Sequence, residues 1–209
     1  MNIYETDDEK VEAIKRWWKE NGLSVVGGVG IGLAAVFGWR GWIAYQDGVS
    51  QQASAAFEQL LSSADSGSTD SALKQSELLT AEYGSTVYGT FSALVKAKVE
   101  LEKSNSAGAR AALEQVMASA PDPGLATIAA LRLARLLIDE GDLPAAAAVL
   151  GKQGATSRFA AEIAALRGDI AAAEGRVLEA REAYEQALAA GATPADLLQL
   201  KLDNLPPAG

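Results

Sequence analysis

The 209-residue sequence predicts an all-α protein in which a single N-terminal membrane-spanning helix leads into an array of helical hairpins. Three observations predict it. Gly22 to Trp39 carries no charge, alanine is dense (Ala145 to Ala148, Ala171 to Ala173) while aromatics are only 6%, and small and large residues recur at a spacing of 34. A β-sandwich is excluded by the same composition.

The opening segment, residues 1–21, holds six acids and four bases, among them Lys10, Lys15, Arg16 and Lys19. The span that follows, 22–45, reads GLSVVGGVGIGLAAVFGWRGWIAY. Trp17 and Trp18 precede its apolar core and Trp39, Trp42 and Tyr45 follow, so Trp18 and Trp39 stand about 32 Å apart along a helix. That is the thickness of a hydrocarbon core with an aromatic belt at each interface. Arg40 reaches the headgroup layer by extending its side chain outward. The bases before the span place the N-terminus in the cytoplasm, since after Arg40 the next base is Lys74, and in a bacterial inner membrane residues 46–209 are then periplasmic. The apolar run exceeds the core of a cleavable signal peptide, and no small-residue cleavage site directly follows it, so an uncleaved anchor is expected. Within it Gly28 and Gly32 form a G-x-x-x-G pair, which reads either as a surface that lets a second helix approach closely in lipid or as the ordinary tolerance of membrane helices for glycine.

Beyond the anchor, Gln51–Ala64 and Ser71–Tyr83 read as a helical hairpin around the polar loop Asp65–Asp70, without a repeat signature. The period is clear further on: Ala134, Gly141, Ala146 and Leu150 recur 34 residues later as Gly168, Gly175, Ala180 and Tyr184. Thirty-four is the tetratricopeptide period. Ala97, Ala109 and Leu113 fit as an earlier unit at an offset of 37, with Ser104-Asn105 as its turn and the extra residues in the loop Ser119–Gly124. Thr193-Pro194 marks the start of a terminal helix, Ala195–Leu205, which closes the stack. The agreement with the tetratricopeptide pattern is partial, Ala171 standing where an aromatic is expected.

Cysteine and histidine are both absent, which excludes disulfides, thiolate and imidazole metal sites, Cys nucleophiles and Ser-His-Asp triads. The acid pairs Asp139/Glu140 and Glu179/Glu182 read as a solvated face, so no catalytic residue, metal or cofactor is expected. The net charge is −9, of which the part after residue 45 carries 21 acids against 13 bases, and such a surface repels nucleic acid.

The opening IYETDDEKVEAIKRWWKENG, the Gly-rich span, the following WRGW and the repeat segments LRLARLLIDEGD and LRGDIAAAEGR together resemble the YfgM family, the ancillary subunit of the bacterial Sec translocon. The most specific part is the acidic stretch leading into VEAIKRWWKENG. The resemblance implies a single-pass inner-membrane protein with a periplasmic repeat domain. It also implies partners: the SecYEG channel, a membrane-anchored periplasmic chaperone of the PpiD type, secreted client proteins, and a cytoplasmic stress-response regulator reached by the N-terminal tail. No catalytic residue is implied. The competing reading is an envelope-assembly or division scaffold unrelated to the translocon, which the repeats fit equally well.

In a tetratricopeptide array the first helices of successive hairpins line a concave face. With Ala97, Ala134 and Gly168 in the small-residue slot, that face holds Phe91, Leu94, Lys98 and Leu101, then Ile128, Leu131, Arg135 and Ile138. The third unit contributes Glu162, Ala165 and Asp169, so the face is expected to be apolar with two cations and then acidic. The leucines serve equally well as packing between hairpins, which leaves Lys98 and Arg135 as the sharper candidates for contact with a partner segment.

Overall fold

A computed structural model describes residues 7–153 and 158–207. Its regular structure is helical, with no strand among the described residues: α1 (Asp7–Asp65), α2 (Thr69–Tyr83), α3 (Val87–Glu102), α4 (Ser106–Ser119), α5 (Pro123–Asp139), α6 (Leu143–Gly151), α7 (Ala160–Ala173), α8 (Val177–Ala189) and α9 (Ala195–Asp203). The chain forms two compact units, Met1–Gln51 and Gln52–Gly209.

The first unit is the greater part of α1. An 18-residue window of this helix reaches a mean hydropathy of 1.7, so it is long and apolar enough to cross a membrane. Trp17 and Trp18, 6.4 Å between ring centroids, and Trp42 and Tyr45, 6.3 Å apart, are exposed at the two ends of the apolar stretch. The hairpin helix expected to begin at Gln51 has no start of its own: the backbone hydrogen bonding that begins at Asp7 continues to Asp65, with no proline to interrupt it and with Asp47 and Ser50, both of capping type, lying inside the helix.

The second unit is four hairpins and a closing helix. Each hairpin turns through one residue in the left-handed region, Gly67 (φ 72°), Ser104 (58°), Gly141 (78°) and Gly175 (75°), at intervals of 37, 37 and 34 residues. The residue after each turn, Ser68, Asn105, Asp142 and Arg176, is the N-cap of the second helix. Asn105 and Asp142 cap with their side chains, accepting from the Gly108 and Ala145 amides at 3.1 and 3.2 Å. Each such cap stabilises its helix by about 1 kcal/mol.

The small and large positions read from the sequence are buried as a set. Ala109, Ala146 and Ala180 are completely covered, the small-slot residues Ala97, Ala134 and Gly168 are buried, and the plugs Leu113, Leu150 and Tyr184 are at most 3% exposed. Counting back 37 residues from Ala97, Ala109 and Leu113 of the second hairpin, the first hairpin joins the same register with Leu60, Ala72 and Ser76, all fully buried. It shows no signature in the sequence because the order is inverted: a large residue occupies the small slot and a serine the plug. The plug serine is satisfied within its own helix, Ser76 Oγ donating to the Leu73 carbonyl at 3.2 Å. At the other extreme the plug is a tyrosine and the slot a glycine, and a Cβ on Gly168 would lie 2.5 Å from the Tyr184 ring carbons.

Two boundaries differ from the sequence reading. Pro123 and Gly124, expected in a loop, form the first turn of α5, because the Asp122 carboxylate caps the helix from the Gly124 amide at 2.6 Å and proline suits the first helical position. The terminal helix stops at Asp203, two residues before the expected Leu205. Leu198 and Leu202 of α9 pack with Ala161, Ala164 and Tyr184, so the last hairpin does not present a bare stacking face. A polar tie reinforces this closure: Asp169 of α7 accepts from the Tyr184 hydroxyl at 2.8 Å and from Lys201 Nζ of α9 at 2.7 Å. Burial, and then the neighbouring Asp169 carboxylate, push the Tyr184 phenol well above the usual tyrosine range.

Gly168→Ala is expected to lower the unfolding free energy by about 1–3 kcal/mol through overpacking against Tyr184. In a Tyr184→Leu background the same change recreates the alanine–leucine pairing of the neighbouring repeats and is expected to cost little. Urea unfolding of the four proteins, followed by circular dichroism in detergent, checks this through the interaction between the two sites. Equal costs in both backgrounds would contradict the close fit.

Candidate binding groove

Along the repeat domain the first helices of the second and third hairpins, α3 and α5, enclose a two-lobed groove. The N-terminal lobe, about 350 Å³, is lined by Phe57 of α1, Phe91, Leu94, Val95 and Lys98 of α3, and Leu125, Ile128 and Arg132 of α5. The C-terminal lobe, about 440 Å³, is lined by Ala97, Lys98, Leu101 and Glu102 of α3, Leu113 of α4, and Arg132, Arg135, Leu136 and Asp139 of α5. Early residues of both helices line one lobe and late residues the other, so α3 and α5 run in the same sense. Lys98 and Arg132 line both lobes and stand at their junction.

Six of the eight residues expected on the concave face line this groove: Phe91, Leu94, Lys98, Leu101, Ile128 and Arg135. Leu131 does not. It is 4% exposed and belongs to the core, and Ile138 packs against that core. On α5 the groove-facing stripe is therefore Leu125, Ile128, Arg132 and Arg135, turned by one position from the stripe that spacing suggests at Leu131 and Ile138. The reason is that α5 is apolar around most of its circumference, with Ala129, Ala130, Leu131, Leu133, Ala134, Leu136 and Leu137 all buried, so periodicity alone does not choose its outer face. Arg132, which the sequence reading passed over, was legible as the residue four after Ile128 and three before Arg135 on one helical stripe.

The electrostatics of the groove are uneven. Lys98 makes an exposed ion pair with Glu102 at 3.5 Å, its own side chain 59% accessible. Arg132 and Arg135 are exposed and form no ion pair among the described residues. Glu102 and Asp139 lie at the far end of the larger lobe, the last residues of α3 and α5. Of the acidic continuation expected in the third unit, Asp169 is held by Tyr184 and Lys201 and Ala165 packs against the α9 cluster, while Glu162 Oε2 is buried without a hydrogen-bond partner among the described residues. Phe57, Tyr88 and Phe91 form an aromatic group at the outer edge, with centroids 5.9–6.3 Å apart. A groove of this kind presents apolar walls and exposed cations, which is equipment for holding a peptide segment.

One carboxylate of each acid pair read from the sequence has a structural partner. Glu140 accepts from Arg110 at 3.0 Å, tying α4 to the α5–α6 turn, and Glu179 pairs with Arg176. Among the described residues no three acids cluster closely enough to hold a metal ion. In the first unit, Cβ atoms placed on Gly28 and Gly32 would meet nothing within 4 Å. The N-terminal tail, residues 1–6, lies outside the described residues.

A helix long and apolar enough to cross a membrane, joined to hairpins in a 34–37-residue register with a groove along the first helices, defines a tetratricopeptide-like repeat protein with a candidate membrane span. The tetratricopeptide repeat-like domain family matches residues 15–207. The chain is 33% identical over 207 residues to a protein of Escherichia coli (strain K12), covering 98% of this chain and 99% of the relative, and that protein is named ancillary SecYEG translocon subunit. Relatives of the same name in Haemophilus influenzae and Neisseria gonorrhoeae are 32% and 25% identical, covering 95% and 98% of the chain. The chain belongs to this family, the YfgM family that its opening block resembles. No solved structure matches it.

Leu94→Ala and Leu131→Ala are each expected to lower the unfolding free energy by about 2–5 kcal/mol, as truncations of covered core leucines. The double reversal Lys98→Glu and Arg135→Glu, at exposed positions, is expected to change it by less than about 1 kcal/mol. Thermal unfolding separates the two classes. A large loss in the reversed protein would move those cations into the core.

Proposed function

We propose that the protein is a non-enzymatic, membrane-anchored subunit associated with the SecYEG translocon, linking emerging secreted proteins to periplasmic chaperones. The observation that carries the reading is the near full-length kinship to relatives named ancillary SecYEG translocon subunits, in a chain that pairs one apolar helix with a grooved repeat domain. Nothing in such an assembly needs chemistry. Tethering makes a second contact intramolecular, so a modest affinity gives persistent association beside the channel.

In this reading the N-terminus lies in the cytoplasm and residues 46–209 in the periplasm, since Lys10, Lys15, Arg16 and Lys19 precede the span. The repeat domain then meets clients as they leave the channel, together with a membrane-anchored chaperone of the PpiD type, and the acidic tail is the part positioned to meet a cytoplasmic stress-response regulator. Gly28 and Gly32 let the anchor approach a partner helix, and the belt aromatics set its depth. The eight residues Phe91, Leu94, Lys98, Leu101, Ile128, Leu131, Arg135 and Ile138 act in two ways: the groove-lining six meet a partner segment, while Leu131 and Ile138 hold α5 in place.

Co-purification from mild detergent is expected to recover SecY with the protein, and Gly28→Leu with Gly32→Leu is expected to reduce that recovery several-fold while the protein still inserts. Recovery of outer-membrane assembly or division proteins without SecY would favour the envelope scaffold instead. For topology, protease added to spheroplasts is expected to digest the repeat domain and spare Tyr4, and a periplasm-active reporter fused after Pro207 is expected to function. A protected repeat domain would reverse the orientation.

A further inference from the structure

We infer that the groove between α3 and α5 is selective for a segment carrying a carboxylate between two apolar anchors, the carboxylate seated where Lys98 and Arg132 line both lobes at once. The inference rests on the reading of the repeat domain as a holder of partner segments, and it names the chemistry of the segment held.

Four observations converge on this occupant. The lobes, about 350 and 440 Å³, are each large enough for one or two apolar side chains, and both have walls dominated by apolar residues such as Phe91, Ile128 and Leu101. Between them the lining switches to cations. Arg132 has no acidic partner among the described residues and Lys98 has only the exposed Glu102 contact at 3.5 Å, a pairing weak enough to exchange for a ligand's carboxylate. These cations, one without an acidic partner among the described residues and one weakly paired, sit in a chain of net charge −9, so the junction is a local reversal of the protein's overall field.

The far end supplies a direction. Glu102 and Asp139 close the larger lobe, and they oppose a second carboxylate there while suiting a base. The preferred segment therefore reads apolar anchor, acid, apolar anchor and then base, with the base toward the C-terminal ends of α3 and α5. Arginine at position 132 also suits the junction chemically, because its planar fork accepts a carboxylate through two hydrogen bonds. A fully basic or uncharged apolar segment fits the walls but leaves Arg132 desolvated without a partner.

The test uses the full-length protein in nanodiscs and fluorescein-labelled 13-residue peptides, with two leucines flanking a central glutamate at a distance of three residues. Matched peptides carry glutamine or lysine at the centre. Fluorescence anisotropy is expected to show saturable binding of the glutamate peptide, about tenfold weaker binding of the glutamine peptide, and weakening of the former as salt rises. In the protein with Lys98→Glu and Arg132→Glu the preference is expected to invert, the lysine peptide binding more tightly than the glutamate peptide. Inversion itself reports an intact groove. Should that protein unfold, Lys98→Gln with Arg132→Gln is the variant to use, and it is expected to abolish the preference for glutamate over glutamine. Equal binding of the glutamate and glutamine peptides, or undiminished preference for glutamate in the variants, would overturn the inference, as would no binding of any peptide. SecY recovery is read in parallel: its loss from the natural protein sinks the translocon reading, whereas its persistence alongside failed peptide binding sinks only the groove assignment.

Discussion

Everything in the repeat domain depends on how closely the paired helices of each hairpin approach, and that approach is set by complementary volumes at two positions. Where the slot is alanine the plug is leucine (Ala97 with Leu113, Ala134 with Leu150); where the slot shrinks to Gly168 the plug grows to Tyr184; where the slot is Leu60 the plug shrinks to Ser76. Interiors pack at crystal-like density, so a gain of volume on one helix is tolerated only with a loss on the other. The four left-handed turn residues then feed each second helix back at the same register. Stacked hairpins of constant spacing bring α3 and α5 side by side, and the groove is the space their outer stripes leave open.

The stack does not extend the groove indefinitely. In the last hairpin the corresponding polar position, Asp169, is taken by Tyr184 and Lys201, and α9 supplies Leu198 and Leu202 to finish the core. The outcome is a short array with a groove between α3 and α5, a closed end, and at the other terminus a helix whose apolar stretch is suited to lipid. In the proposed reading, binding and anchoring reside in different units of the chain, and tethering of this kind makes weak recognition effective.

Much of this was legible in the sequence because the features concerned are local and periodic. The apolar run with its tryptophans, the recurring Ala134–Leu150 and Gly168–Tyr184 spacings, and the terminal helix after Pro194 each announce themselves through residue type at a fixed interval. The first hairpin was hidden because its Leu60–Ser76 pair inverts the pattern, so complementarity survives while similarity is lost. The outer stripe of α5 was misplaced by one position because a helix buried on most sides carries little amphipathic signal, and only packing against its neighbours decides that Leu131 points inward and Arg132 outward. The closure of the third unit by α9 depends on contacts between residues 32 apart, such as Lys201 and Asp169, which periodicity does not report.

The central claim, that the α3–α5 groove is the working surface of an anchored translocon subunit, is tested most directly by photo-crosslinking in intact cells. A benzoylphenylalanine replaces either Leu101, 44% exposed at the groove, or Leu178, 61% exposed on α8. The account predicts discrete adducts from position 101, containing secreted clients or a membrane-anchored chaperone that co-purify with SecY, and little from position 178. Equal adduct patterns from both positions, or adducts from position 178 alone, would contradict it.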